Sequence, residues 1–265
     1  MHGRHGRFRY NPFDIYIGGS LARYGEYSEV ELALLLSLLK PGGCVVEAGA
    51  NIGAMTVPIA RHVGANGRVY AFEPQAVLYD LLEHNVRLNG LENVEVRALA
   101  ASDRPETLWH RRQDYCAPGN FGGVEFFRTC EGETAAAAAV RLDAVIDPPR
   151  LNLLKLDVEG MELEALTGAR GLIDAHRPLI YMENDRRERS ADLLSAVFAL
   201  DYLAFWHLPP LYNPDNFFGI EDNVFGGVGS VNMLCVPVKR NIGDSAAAAI
   251  RDPKERPIVA EGHPE

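Results

Sequence analysis

Short apolar runs alternate with amphipathic segments of helical period along most of the chain after Gly43. This alternation is typical of βαβ units, which build a parallel sheet covered by helices on both faces. The predicted strands are Cys44–Glu47, Arg68–Glu73, Asn93–Leu99, Leu151–Leu156, Pro178–Met182, Tyr202–Trp206 and Val231–Val236. The predicted helices between them are Gly53–His62, Gln75–Leu88, Met161–Leu166 and Ala191–Leu200. The pattern therefore predicts a doubly wound α/β fold.

Two stretches of the chain lack this alternation of apolar and amphipathic segments. Residues 101–142 are polar and contain a run of alanines, which we interpret as an inserted hairpin region because no apolar period is sustained. Residues 207–230 form a long loop rich in aromatic residues, Asn, Gly and Pro, and long loops inside compact domains are often functional. The predicted organisation is an N-terminal helical segment that would cover a bound cofactor (1–40), a main domain (41–238) and a flexible tail without an assigned role (239–265). Within the first of these, Ser28–Leu39 has the pattern of a helix capped by Ser28.

Charge and composition exclude some classes of protein. The formal net charge of -10 argues against a general binder of nucleic acids or anionic membranes. No apolar run is long enough for a membrane helix, and the basic N-terminus leads into no signal-peptide core. The four cysteines lack metal-binding spacing and are expected to be reduced thiols. We therefore expect a soluble, cytoplasmic protein.

The most informative segment is V-V-E-A-G-A-N-I-G at residues 45–53, a strand followed by a glycine turn and a helix. A dinucleotide site requires G-x-G-x-x-G, and here the middle glycine is missing. Glu47 would repel a pyrophosphate, whereas it would stabilise a ligand that carries an ammonium and a sulfonium. This favours S-adenosylmethionine as the cofactor. Alternatively, Glu47 accepts backbone hydrogen bonds within the turn.

Glu73 ends the second predicted strand, about twenty residues beyond the turn. A carboxylate there accepts hydrogen bonds from ribose hydroxyls in both methyltransferases and dehydrogenases. A nicotinamide-dependent oxidoreductase is therefore the alternative enzyme, and a non-catalytic binding module of the same fold is a third class. Glu73 is otherwise a solvated carboxylate at a strand end.

Several motifs occur together in order along the chain. They are G-E-Y-S-E at 25–29, E-A-G-A-N-I-G at 47–53, A-F-E-P at 71–74, L-K-L-D-V-E-G-M-E at 154–162, Y-M-E-N-D-R at 181–186 and V-N-M-L-C-V-P at 231–237. This ordered set resembles the FkbM family of S-adenosylmethionine-dependent methyltransferases over residues 24–238. Glu47 is a conservative departure, since the family more often has aspartate there.

The resemblance implies the Rossmann-like, seven-stranded sheet of class I methyltransferases, with an antiparallel last strand inserted between strands five and six. It implies cofactor contacts along the chain. Those at the methionine end are Glu47, Gly49, Asn51 and Gly53, with Tyr27 and Glu29 closing over it; the ribose contact is Glu73, and Ser102 and Asp103 lie near the adenine. Glu29 otherwise belongs to a helix start, and Ser102 and Asp103 otherwise to a turn.

The acceptor side requires different chemistry, because an aliphatic hydroxyl must lose its proton before it becomes a good nucleophile. Polar residues at two strand ends are candidates: Asp157 beside the transferred methyl group, Glu159 as general base, and Glu183 and Asn184. His207 is a second candidate base. By analogy with catechol-type O-methyltransferases, Asp157, Glu183 and Asn184 alternatively bind Mg²⁺, which prefers oxygen ligands. Lys155 is interpreted as the structural partner of a neighbouring acid.

The long loop places aromatic rings among amide and carboxylate groups, a combination that fits a polyhydroxylated acceptor. The residues concerned are Tyr212, Phe217, Phe218, Phe225, Asn213, Asp215, Asn216 and Asn223. The alternative is a loop whose aromatic residues form their own small core. We therefore predict O-methylation of a glycan or a natural-product hydroxyl (sugar or polyketide type), with N-methylation left open because cofactor motifs do not report on the acceptor.

Overall fold

The structure, a computed structural model, describes residues 1–240 and 248–257. The strands are β1 (His2–Gly3), β2 (Gly6–Arg7), β3 (Cys44–Ala48), β4 (Arg68–Phe72), β5 (Val94–Arg97), β6 (Ala100–Ala101), β7 (Glu106–Arg111), β8 (Phe126–Phe127), β9 (Thr134–Val140), β10 (Leu153–Leu156), β11 (Leu179–Glu183), β12 (Tyr202–His207) and β13 (Asn232–Pro237). The helices are α1 (Ile17–Tyr24), α2 (Glu29–Leu38), α3 (Thr56–Val63), α4 (Ala76–Leu88), α5 (Leu142–Val145), α6 (Glu162–Gly168), α7 (Arg170–His176) and α8 (Arg187–Ala199).

A seven-stranded sheet forms the centre of the molecule, in the order β12-β13-β11-β10-β3-β4-β5. The five strands from β11 to β5 are parallel, and β13 runs antiparallel to both of its neighbours. The predicted doubly wound sheet with an antiparallel last strand is confirmed. Every residue of β3 and β10 is buried, because central strands of a parallel sheet are covered on both faces and therefore read as continuous apolar runs.

A predicted helix start and a predicted helix cap differ from the structure, and the helix predicted from Ala191 begins earlier, at Arg187. The helix after β3 begins at Thr56 instead of Gly53, because Gly53 has a φ of 86° and still belongs to the turn. Ser28 precedes α2, but its hydroxyl donates to the Glu31 carboxylate and makes no capping bond to the backbone. Both ends are thus set by turn geometry that a helical period does not reveal.

The region predicted as an inserted hairpin contains more structure than expected. Strands β6 to β9 form a second sheet in the order β6-β9-β7-β8. The alanine run lies in β9, where buried and exposed positions alternate in part. Alanine favours helices, so the pairing of β9 with β7 overrides its intrinsic preference.

The predicted flexible tail is partly ordered against the main sheet. Ile250 is 2% exposed within the largest apolar cluster, and its N–H donates to the Ala204 carbonyl oxygen at 2.8 Å. Residues 241–247 and 258–265 of this tail lie outside the described residues. Within the described part of the chain, the helices are all too short or too polar to cross a membrane.

Candidate active site at the carboxyl ends of the central strands

A cavity of about 1230 Å³ opens at the carboxyl ends of β3, β4, β10 and β11. Its floor is formed by the strand ends and the glycine turn. Its walls come from the N-terminal segment, the second sheet, the end of the long loop and the C-terminal segment. Open α/β sheets bind ligands at this edge, so the cavity is the candidate active site.

Glycine is required at position 49 by a backbone contact. Gly49 has a φ of 84°, and a Cβ built on it would lie 1.7 Å from the Asp157 carbonyl oxygen. Gly53, in contrast, packs against the Leu82 side chain and does not line the cavity. Both glycines were predicted to let the backbone approach a ligand. In the structure they also allow close contacts within the protein, Gly49 with the Asp157 backbone and Gly53 with the Leu82 side chain.

Glu47 lies on the cavity floor and is only 1% exposed. One of its oxygens accepts a hydrogen bond from the Thr56 hydroxyl at 2.7 Å. Burial raises the pKa of Glu47, while Lys155 and the Thr56 hydrogen bond oppose that shift. A side-chain hydroxyl thus holds this carboxylate, in place of the backbone amides that the alternative interpretation proposed.

Glu73 connects the loops that follow β3 and β4. Its Oε2 accepts the Asn51 N–H and its Oε1 accepts the Gln75 N–H, both at 2.9 Å. Burial raises its pKa to about 7, although these backbone hydrogen bonds lower it. Glu73 and Asn51 also line the cavity, so the predicted ribose contact stands in a position to face a ligand.

Like Gly53, the predicted cofactor-side residues Glu29, Ser102 and Asp103 do not line the cavity. Glu29 is hydrogen-bonded to His5 Nε2 at 2.7 Å, which ties it to the N-terminal hairpin. Ser102 is fully buried, and its hydroxyl donates to Glu106 at 2.6 Å. The neighbouring Ala100 and Ala101 line the cavity in its place. The turn interpretation of Ser102 therefore agrees with its contacts.

The structure also brings Glu31 and Lys155 to the cavity, and sequence reasoning gave neither a role there. Lys155 Nζ lies 2.9 Å from Asp157 Oδ2, which confirms its pairing with a neighbouring acid. Burial opposes the charge of Lys155, but Asp157, Glu31 and Glu47 outweigh it and raise the lysine pKa. Burial raises the pKa of Glu31 to about 7. For Lys155, the signal in the sequence was a charged residue inside the otherwise apolar strand β10.

Three carboxylates meet where β10 and β11 end. Asp157, Glu159 and Glu183 each place one oxygen within 4.8 Å of the others. Arg186 pairs with Glu159 at 3.1 Å, whereas Oε2 of Glu183 is buried and has no hydrogen-bond partner among the described residues. Burial, then the charge of Asp157, raises the pKa of Glu159 to about 8, and the same causes raise the pKa of Glu183 well above its usual range.

Two other predicted residues differ in their surroundings. Asn184 lines the cavity, but its amide donates to the Met233 sulfur, and the cluster is completed by Glu159 in its place. His207 does not line the cavity, because its ring is hydrogen-bonded to the Tyr181 hydroxyl at 2.8 Å, which faces a different part of the core. The expectation that His207 is a second base is therefore not supported by its position.

The long loop contributes to the cavity through small and aliphatic residues. Tyr212 and Phe225 instead pack against Tyr24 of α1, as expected for a loop with its own core. Phe217 and Phe218 are 42% and 45% exposed and also lie outside the cavity. The remaining wall residues include Leu108, Val124 and Phe126 of the insertion, Leu211, Val228 and Ser230 of the loop, and Arg256 and Pro257 of the C-terminal segment.

The strand order, the glycine turn after the first sheet strand and the acids at the next strand ends define the Rossmann-like fold of methyltransferases. Residues 47–205 match the family model of the methyltransferase FkbM domain. The chain therefore belongs to the FkbM methyltransferase family.

The chain is also similar to a known relative and to solved structures. The methyltransferase sdnD of Sordaria araneosa is 30% identical over 156 residues, which cover 47% of this chain and 59% of that protein. A methyltransferase FkbM from Methylobacillus flagellatus is 20% identical, with a TM-score of 0.49, over 75% of this chain and 45% of that chain. A proposed rRNA methylase from Clostridium thermocellum is 13% identical, with a TM-score of 0.50, over 82% of this chain and 98% of that chain, and shares the fold.

Proposed function

We propose that the protein is an S-adenosylmethionine-dependent O-methyltransferase that acts on a hydroxyl of a glycan or natural-product acceptor. The observation that carries this proposal is the single cavity that joins two sets of acids. Glu47 and Glu73 lie beside the glycine turn, and Asp157, Glu159 and Glu183 lie at the ends of β10 and β11. One set fits a cofactor and the other fits the removal of a proton.

The residues beside the turn fit an adenosyl sulfonium ligand. S-adenosylmethionine supplies a methyl group that an acceptor oxygen takes from the sulfonium, leaving a neutral thioether. The buried carboxylate of Glu47 favours a cation and disfavours a diphosphate. Each oxygen of Glu73 holds one backbone amide and keeps a second lone pair for a ribose hydroxyl.

Glu183 is the base that the contacts favour for the acceptor hydroxyl. Asp157 is paired with Lys155 and Glu159 with Arg186, so both are already compensated by a cation. Glu183 alone of the three has a buried oxygen without a partner among the described residues. Proton transfer to such a positioned carboxylate contributes about 10²–10⁴-fold to the rate in enzymes generally. In this proposal Glu159 and Asp157 position the acceptor and keep their basic partners, Arg186 and Lys155, in place.

A divalent cation such as Mg²⁺ is the second candidate for activating the hydroxyl. Convergence of Asp157, Glu159 and Glu183 favours it, because hard cations prefer carboxylate oxygens. The two basic partners of this cluster, Lys155 and Arg186, weigh against it by reducing the negative charge available. A chelator distinguishes the two routes.

The sequence leaves three alternatives: an oxidoreductase, a non-catalytic binding module and an N-methyltransferase. A nicotinamide-dependent oxidoreductase loses support because the chain belongs to a methyltransferase family and Glu47 occupies the cavity floor. A non-catalytic binding module keeps the cofactor residues but transfers no methyl group. N-methylation would use the same cofactor side with a nitrogen acceptor.

In the first test, the protein is titrated in a calorimeter with S-adenosylhomocysteine and, separately, with NAD. Tight binding of the former alone is expected, and the reverse result would overturn the proposal. Hydroxylated metabolites and glycans are then incubated with S-adenosylmethionine, with and without EDTA, and mass spectrometry seeks a gain of one methyl group. Product that forms equally well with EDTA supports the carboxylate base, whereas its loss and its recovery with Mg²⁺ support the metal.

The base is tested with Glu183→Gln, which keeps the shape of the side chain but cannot accept the proton. We expect kcat to fall at least 100-fold while the affinity for S-adenosylhomocysteine is unchanged. Glu131→Gln, an exposed glutamate of the insertion, is the control and retains full turnover. Full turnover in Glu183→Gln would remove Glu183 as the base.

A further inference from the structure

The ammonium group of Lys155 is enclosed at the floor of the cavity. The residue is 2% exposed, lines the cavity and lies next to Glu47 in the register of β10 with β3. Among the described residues, Lys155 Nζ donates a hydrogen bond to Asp157 Oδ2 at 2.9 Å. An ammonium has three N–H donors, so two remain for an occupant of the cavity.

Buried charges in proteins are normally paired and hydrogen-bonded, because removing them from water is costly. Lys155 partly balances the three acids near it, Glu31, Glu47 and Asp157. Balance alone does not require the ammonium to face the cavity. Its position on the cavity floor leaves it able to meet a ligand group as well.

A ligand with an α-amino-acid end brings two opposite charges to this place. Its ammonium is attracted by Glu47, but a floor made only of carboxylates would repel its carboxylate. The other cations on the described cavity wall are Arg186, Arg187 and Arg256, which lie at or beyond the start of α8. Lys155 is the cation beside the glycine turn.

We propose that Lys155 binds the α-carboxylate of the cofactor's amino-acid end, while Glu47 binds the neighbouring ammonium. This inference rests on the proposed function and deepens it, since it assigns the charged end of S-adenosylmethionine to two named residues on adjacent strands. It also changes the electrostatic description of the site. The cavity floor then complements the zwitterionic amino-acid end of the cofactor: its acids face the ammonium, and Lys155 faces the carboxylate.

The test compares two ligands by calorimetry. One is S-adenosylhomocysteine, and the other is its decarboxylated analogue, S-adenosyl-3-thiopropylamine, which keeps the adenosine, the thioether and the amine. The unmodified protein is expected to bind S-adenosylhomocysteine about 10- to 100-fold more tightly, the range for a hydrogen bond to a charged group. Equal affinity for both ligands would overturn the inference while leaving the proposed function intact. Failure to bind either ligand would overturn the proposed function itself.

The variant Lys155→Met retains the length of the side chain and removes the charge. It is expected to lose most of the preference, with weaker binding of S-adenosylhomocysteine and unchanged or tighter binding of the analogue. An equal loss for both ligands would show that Lys155 only supports the fold. Lys40→Met, at an exposed lysine outside the cavity, is the matched control and keeps the preference. Thermal unfolding of both variants checks that they are folded, and the ligand comparison on the unmodified protein remains decisive if Lys155→Met is not.

Discussion

The α-carbon of Gly49 faces the main-chain carbonyl of Asp157 so closely that a β-carbon at position 49 would lie 1.7 Å from that oxygen. This contact joins the turn after β3 to the end of β10. Because Gly49 and Asp157 both line the cavity, this contact links the glycine turn to the end of β10 within the candidate site.

Gly49→Ala is therefore expected to destabilise the protein by more than about 3 kcal/mol, since a strained positive φ is combined with a collision between backbone atoms. Urea denaturation measures the loss. Gly90→Ala is the matched control, because Gly90 has a φ of 64° at the end of α4 and open space around its α-carbon. It should cost only about 1–2 kcal/mol. Equal losses in the two variants would show that the contact with Asp157 is not rigid.

Glu73→Ala is expected to weaken the binding of S-adenosylhomocysteine by about 1–3 kcal/mol, the range for a lost hydrogen-bonding group with a charge. It also leaves the amides of Asn51 and Gln75 without their acceptor, so the loops themselves should loosen. Calorimetry measures the affinity, and Glu92→Ala at an exposed position is the control. An unchanged dissociation constant for Glu73→Ala would remove Glu73 from the site.

The stability of the protein without ligand should fall between about pH 4.5 and 7. Burial raises the pKa of both Glu31 and Glu73 from 4.5 to about 7. The folded state then holds protons that the unfolded chain has released, so this contribution to stability is complete below pH 4.5 and is lost as the pH rises through 7. Urea denaturation across this pH range should show that the free energy of unfolding falls less steeply in Glu31→Gln than in the unmodified protein. A profile identical to that of the unmodified protein would contradict the assignment, and Glu92→Gln controls for a surface substitution.

Ile250→Ala tests whether the C-terminal segment is part of the domain. Because the side chain is 2% exposed within the main apolar cluster, we expect a loss of about 2–4 kcal/mol in the free energy of unfolding. Val238→Ala, at a position 52% exposed, should change stability by less than about 0.5 kcal/mol. If Ile250→Ala were as mild as the control, the segment would not be packed in solution.

The sheet was predictable because its strands are continuous apolar runs separated by helical periods. The glycine turn and Glu73 were predictable because their spacing is tied to the ends of those strands. Lys155 was harder: a charge inside an apolar strand marks the residue as unusual, but only the pairing of β10 with β3 places it beside Glu47. His207 was misplaced because β12 lies at the edge of the sheet with β13 between it and β11, which the sequence alone does not show. The strand made of Ala135–Ala139 depends on its pairing with β7, which local preference does not contain.

The walls of the cavity come from segments outside the main sheet: the second sheet, the end of the long loop and residues 256–257. The parts expected to hold the cofactor are fixed by strand pairing, whereas these walls are attached at the edges of the domain. We therefore expect that exchanging wall segments between family members changes which acceptor fits, while the strand ends proposed to hold the cofactor stay the same.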